Sequence, residues 1–390
     1  MRIDSVDFFY LRMPVVLDIG DGSQDALLVR VRAGNHEGWG ECEASPLTSI
    51  ASWVAPMSHS ACKPVSASVV GRELDGPEDI RRLNRLVQEN SFDLLQWPHT
   101  FSGIDVALWD LLGRKREEPV WKLLDMAASH PKRPYASQLF GDRPEETYAR
   151  ASETRKQGFT AAKFGWGPYG RDIEESARHL EAARAGLGDD VDLMVDVGTL
   201  WKGCGQAMGF VPAVQAARVV WLEEPFPGEE YEEYRALSHR TGIPLAGGEG
   251  CDSLAQAVNF VRFADPAFLQ IDAGRIGGIT PATFAASYAA GQGARFVNHT
   301  FTSSLALSAS LQPYANHRDS YCEYPLDPKP VARDLTASRL VPDPDGLIRA
   351  PDAPGLGLDV DLESVERYLV EVEINVGGRT LFRSDRSMLR

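Results

Sequence analysis

The sequence predicts an α/β protein: a closed β/α barrel of the TIM type, accompanied by a smaller α+β unit. Three observations point there. Short apolar runs alternate with amphipathic helices over residues 131–325, the signature of a parallel sheet with crossover helices. Eight such runs occur, and eight strands close a single barrel. Residues 1–130 lack this alternation and read instead as a hairpin followed by helices.

Within 1–130, ALLVRVRAG (26–34) reads as a strand and EGWGE (37–41) as the return of its hairpin. The pattern turns helical over 77–124. In SGIDVALWDLLGRK (102–115), Ile104, Ala107, Leu108, Leu111 and Leu112 form an apolar stripe at helical spacing. The barrel runs are RPYASQLF (133–140), TAAKFG (160–165), VDLMVDV (191–197), VVWLEEP (219–225), IPLAGGE (243–249), AFLQIDA (267–273), ARFVNHT (294–300) and YCEYP (321–325). Helical stretches such as RDIEESARHLEAARAGLG (171–188) separate them. Residues 326–390 are loop-rich, with a short helix at 362–369 and a strand at 369–376, and are expected to fold back on the first unit.

Bulk properties exclude several classes. A chain of 390 residues exceeds one ordinary compact core. A net charge of -15 with no basic patch argues against nucleic-acid or anionic-membrane partners. No run approaches the roughly 18 apolar residues that span a bilayer, and MRIDSVDFFYLRMP lacks the features of a signal peptide. The five cysteines are scattered without a Cys-x-x-Cys pair, which argues against disulfides or zinc and for a reducing cytoplasm. Phosphate-loop, dinucleotide and Gly-x-Ser-x-Gly motifs are missing, and GPYGRD (167–172) matches none of them.

Most barrel runs carry a titratable side chain near the carboxyl end: Lys163, Asp196, Glu223 or Glu224, Glu249, Asp272, His299 and Glu323. With Glu223 as the fourth-strand member the steps are 33, 27, 26, 23, 27 and 24 residues. A barrel spends roughly 30 residues per β/α unit, so these positions converge on its top. Asp196, Glu223 and Glu249 would then stand side by side, and three carboxylates in one cavity call for protons or a cation. All-oxygen ligands favour Mg²⁺, with Mn²⁺ next. Strand alternation puts only one of Glu223 and Glu224 inside. On the next two strands, Asp272 would fix the tautomer of His299 and leave its other nitrogen as a general base.

Together Lys163, DVG (196–198), WLEEP (221–225), GGEG (247–250), QIDAGRIGG (270–278), NHTF (298–301) and CEY (322–324) resemble the enolase superfamily, mandelate racemase subgroup. The flanks EGWGE, GIDVALWDLLGRKREEPVWKLL and PDAPGLGLDVD (351–361) share the resemblance, which spans nearly the whole chain. It implies a modified (β/α)7β barrel, residues 131–325, capped by 1–130 together with 326–390. It implies Asp196, Glu223 and Glu249 as metal ligands, Asp272 and His299 as the dyad, and Glu323 as a hydrogen-bonding partner of the substrate carboxylate in its enolate form. Cap loops around 15–23 and 42–50 would choose the substrate, a small carboxylate. By analogy the resemblance also implies a homo-oligomer.

Two departures narrow the chemistry. Racemases of the family carry Lys-x-Lys where this chain has Lys163-Phe164-Gly165, so the second base is missing. The polar residue often found two positions after the metal-binding aspartate is Gly198 here. One base suits dehydration of a sugar acid, an aldonate or aldarate, to a 2-keto-3-deoxy acid, with Lys163 binding the carboxylate. An epimerase or cycloisomerase would need a second acid, for which Tyr169 is a candidate. A reading from another class is a non-catalytic barrel that binds a sugar acid or a protein.

Overall fold

The computed structural model describes residues 1–43 and 45–389. Its first sheet is antiparallel: β1 (Ser5–Arg12) pairs with β2 (Asp25–Ala33), and β2 with β3 (His36–Cys42). Gly34, at φ +61°, makes the tight turn between β2 and β3. The helix Trp97–Arg116 lies directly on β3, because any side chain at Gly38 or Gly40 would collide with the helix backbone around Ala107. This is the packing that the apolar stripe 104–112 announces, and the two glycines of EGWGE permit it.

The second sheet is the barrel. Its strands are β4 (Arg133–Leu139), β5 (Ala161–Gly165), β6 (Asp192–Asp196), β7 (Leu222–Glu223), β8 (Leu245–Gly247), β9 (Phe268–Ile271), β10 (Arg295–Asn298) and β11 (Tyr321–Pro325). They are parallel, and β11 pairs back onto β4. Between β10 and β11 a side chain replaces the ladder: Asn298 accepts from the Glu323 N–H at 2.9 Å and donates to its carbonyl at 3.3 Å. Inside lies a buried cluster of Tyr135, Ala161, Met194, Trp221, Ala246, Phe268, Val297 and Tyr321, one from or immediately before each strand. Large aromatic and small aliphatic side chains together fill the barrel floor.

The chain returns to the first sheet after the barrel. The helix Leu362–Tyr368 leads into β12 (Leu369–Val370), which pairs antiparallel with β1. The expected strand 369–376 is therefore two, because Glu371 breaks it. Its second part, β13 (Val372–Val376), forms a hairpin with β14 (Arg379–Ser384). The helix Pro46–Val54 occupies part of what the sequence reads as a cap loop.

Buried polar contacts join the layers. Asp110 accepts from the backbone N–H groups of Trp39 (2.9 Å) and Leu356 (2.8 Å), tying hairpin, helix and return segment together. Asp105, on the same helix as Asp110, accepts from the N–H and hydroxyl of Thr280 at 3.0 and 2.6 Å, anchoring that helix to the barrel. Among the described residues no helix is long and apolar enough to cross a membrane.

Candidate active site

Alternation along each strand positions the site. Two residues beyond Ala161, Met194, Trp221, Val297 and Tyr321 on the floor come Lys163, Asp196, Glu223, His299 and Glu323, pointing the same way. Asp272 and Glu249 follow the ends of β9 and β8. The seven residues singled out from the sequence thus share the mouth of the barrel, and all but Glu249 are buried.

The dyad is formed. His299 Nδ1 stands 2.7 Å from Asp272 Oδ2, and Asp272 Oδ1 accepts from the Gly274 N–H at 2.6 Å. That leaves His299 Nε2 facing the cavity, 3.4 Å from Glu249 Oε2 and 4.0 Å from Glu323 Oε2. Burial opposes the charged imidazolium, but Glu249, Glu323 and the bond to Asp272 outweigh it and raise His299 to about 10.

Lys163 sits between two acids. Its Nζ is bonded to Glu223 Oε1 and lies 2.7 Å from Glu323 Oε1. Burial works against the ammonium, yet Glu223 and Glu323 hold it well above the ordinary lysine range. Glu323 also accepts from the Ser137 hydroxyl at 2.8 Å and the Thr300 N–H at 2.9 Å. Glu223 Oε2 accepts from Trp221 Nε1 at 3.0 Å and Gln270 Nε2 at 2.8 Å.

The remaining acids repel one another. Asp196 accepts from the Gly198 N–H at 2.7 Å and from Trp166 Nε1 at 3.1 Å. Burial, then Glu223 and Glu249, push it up to about 8. Glu249 goes the other way: against burial, His299, Arg275 and Lys163 hold it at about 2. Glu224 is also buried, and burial followed by Glu249 and Asp196 raises its carboxyl well above the usual range. Both members of the Glu223–Glu224 pair are therefore inside, because Glu224 leaves the strand with φ +39°.

The donor chemistry fits a hard divalent cation, since carboxylates crowded enough to raise Asp196 and Glu224 call for positive charge. Among the described residues, however, no three His, Cys, Asp or Glu side chains are arranged as an ion-holding group. The Lys163 ammonium is bonded to Glu223, so a cation using that carboxylate competes with it.

Sequence reasoning passed over several residues here. Ser137 and Gln270 are inward-facing but neutral, so a search for titratable groups misses them. Their signal was position, two residues after Tyr135 and Phe268. Glu43, at the end of the hairpin, meets the barrel across the interface: Arg275 bridges Glu43 Oε1 at 3.1 Å and Glu249 Oε1 at 3.3 Å. Burial is the largest influence raising Glu43 to about 7. Tyr169 does not face the site. It is fully buried, stacked on Phe140 at 4.8 Å. A cavity of about 400 Å³ opens beside the acids, lined in part by Trp166, Gly198, Thr199, Glu224, Glu249 and Arg275.

Comparison with known proteins agrees with this arrangement. Residues 146–365 match the family model described as enolase C-terminal domain-like. Residues 7–125 match that of the mandelate racemase/muconate lactonizing enzyme N-terminal domain. A crystal structure described as a predicted mandelate racemase from Rhodobacter sphaeroides superposes with a TM-score of 0.94 at 54% identity, covering 99% of this chain and 100% of that one. An N-succinyl-L-Arg/Lys racemase from Bacillus cereus is 22% identical over 96% of this chain and 100% of its own. A D-galactonate dehydratase from Variovorax paradoxus is 29% identical over 81% of this chain and 87% of its own.

Proposed function

The chain belongs to the enolase superfamily, in its mandelate racemase subgroup, and from that premise we propose that it is a Mg²⁺-dependent dehydratase of a sugar acid. The observation that carries this reading is the asymmetry of the mouth. A buried Asp272–His299 pair stands on one side, and β5 ends in Gly165, without a side chain, where a second lysine would be.

Asp196, Glu223 and Glu249 would hold the ion. When bound, Mg²⁺ or Mn²⁺ would offset the crowded acids and stabilise the charge that gathers on the substrate carboxylate. Lys163 binds that carboxylate with its ammonium, and Glu323 hydrogen-bonds it as the enolate develops. Glu249 is the strongest of the acids that hold His299 protonated; with that carboxylate committed to the ion, the neutral imidazole Nε2 takes the proton from the carbon next to the substrate carboxylate, while Asp272 holds Nδ1–H and steadies the resulting imidazolium. The same imidazolium then gives its proton to the departing 3-hydroxyl, which leaves as water. The enol so formed gains a proton at C3 and gives up the proton of its C2 hydroxyl to solvent, becoming the 2-keto-3-deoxy acid.

Incubation with a panel of aldonic and aldaric acids and Mg²⁺, read as 2-keto acid formation, tests the proposal. No 2-keto acid from any member would count against it. A racemase, epimerase or cycloisomerase is the second reading, favoured by the racemase name of the Bacillus relative, and it needs a second acid or base facing the cavity. The proposal also carries a cytoplasmic homo-oligomer whose partner is a small carboxylate, with no nucleic acid or membrane. Light scattering would check the oligomer.

A further inference from the structure

The space that a side chain at position 165 would need is taken by Asp196, and the residue that follows is a tryptophan. At Gly165 a side chain would begin 2.8 Å from Asp196 Cβ and 2.9 Å from its Oδ2, so this position belongs to Asp196. The next residue, Trp166, adopts φ +58°, a conformation that bulky residues rarely take. That turn lays its indole across the mouth, where Nε1 donates to Asp196 Oδ2 at 3.1 Å.

Two glycines make room for the ring. A Cβ at Gly198 would stand 3.1 to 3.3 Å from three indole atoms. A Cβ at Gly20, in the cap loop, would stand 2.7 to 3.0 Å from three indole atoms, Cδ2 being common to both sets. The indole therefore lies against the backbone of both units. The cap loop that carries Gly20 is braced from within: the Gln24 amide oxygen accepts from the Leu17 N–H at 2.7 Å, and its nitrogen donates to the Leu17 and Asp21 carbonyls at 2.9 and 3.1 Å. Lys329 pairs with Asp21 at 3.4 Å. Going round the barrel, β4 and β11 separate β5 from β10, the strand that carries His299, and four strands separate them the other way.

We propose that Trp166 is a positioning residue that closes the face away from His299, fixes Asp196 for the cation and clasps the cap loop 15–23. Both departures from the family pattern, Gly165 and Gly198, then have one cause: each clears space for Asp196 or for the indole beside it. This rests on the metal-dependent reading above.

The test measures Mn²⁺ affinity by calorimetry and backbone hydrogen exchange in residues 15–23. It uses the wild type, Trp166→Phe, Trp166→Ala and Gly20→Ala. Trp166→Phe keeps the ring but loses the N–H, so Mn²⁺ should bind about 10- to 100-fold more weakly while loop exchange stays as in the wild type. Trp166→Ala and Gly20→Ala should both speed loop exchange, and Gly20→Ala provides this readout if Trp166→Ala does not fold. Mn²⁺ affinity of Trp166→Phe within twofold of wild type, or unchanged loop exchange in the folded alanine variants, overturns the proposal. A wild type that binds no Mn²⁺ overturns the metal-dependent reading instead, and loop exchange alone then decides the clasp.

Discussion

Along a single barrel strand, a step of two positions leads from an apolar side chain to a charged one: Ala161 to Lys163, Met194 to Asp196, Trp221 to Glu223, Tyr321 to Glu323. The floor is apolar and closely packed. Trp221 packs there against Tyr135, Phe268 and Tyr321 with ring centroids 4.6 to 5.4 Å apart. The mouth is crowded with acids instead, and Asp196 and Glu224 are raised by burial and by other carboxylates. Both layers share the same rigid strands, so apolar burial below holds in place the charges above. Trp221 serves both, packing below while its indole N–H meets Glu223.

That contrast can be broken from either side. The largest effect is expected at the mouth: His299→Asn should lower turnover on an identified substrate by about 10²- to 10⁴-fold. Thermal stability should fall as well, since Asp272 loses its buried partner, and full turnover would refute the base assignment. Trp221→Ala attacks the floor and should cost about 3–5 kcal/mol of stability, read by denaturant unfolding. Trp221→Phe, which keeps most of the packing but leaves Glu223 short of a donor, should cost about 1–3 kcal/mol. A smaller effect of opposite sign is expected at Glu224, a buried acid among like charges. Glu224→Gln should stabilise the protein by about 1 kcal/mol and leave Mn²⁺ affinity unchanged. Loss of affinity would make Glu224, rather than Glu223, the ligand.

Much of this layout is legible in the sequence because it follows two short periods. Alternation along a strand places Lys163 or Asp196 inward, and the length of a β/α unit repeats that placement round the ring. What depends on contacts between distant segments is not legible. Trp166 reads as a loop residue until Gly20 and Gly198 are seen against its ring. The bridge from Glu43 to Glu249 through Arg275 joins segments more than two hundred residues apart in the chain. The hairpin of β13 and β14 is largely exposed, so no burial pattern marks it. The helix Pro46–Val54 does carry a start signal, Ser45 followed by Pro46, but Ser45 is left-handed and makes no side-chain cap, and the reading of 42–50 as a loop passed over it.

The central claim is a single-base site that removes water from a sugar acid. Running the reaction in D₂O with Mg²⁺ and an aldonate or aldarate that the protein consumes tests it most directly, with products followed by NMR and mass spectrometry. The account predicts loss of one water and a 2-keto acid carrying deuterium at C3. Recovered acid that has gained deuterium at C2 without losing water would contradict it.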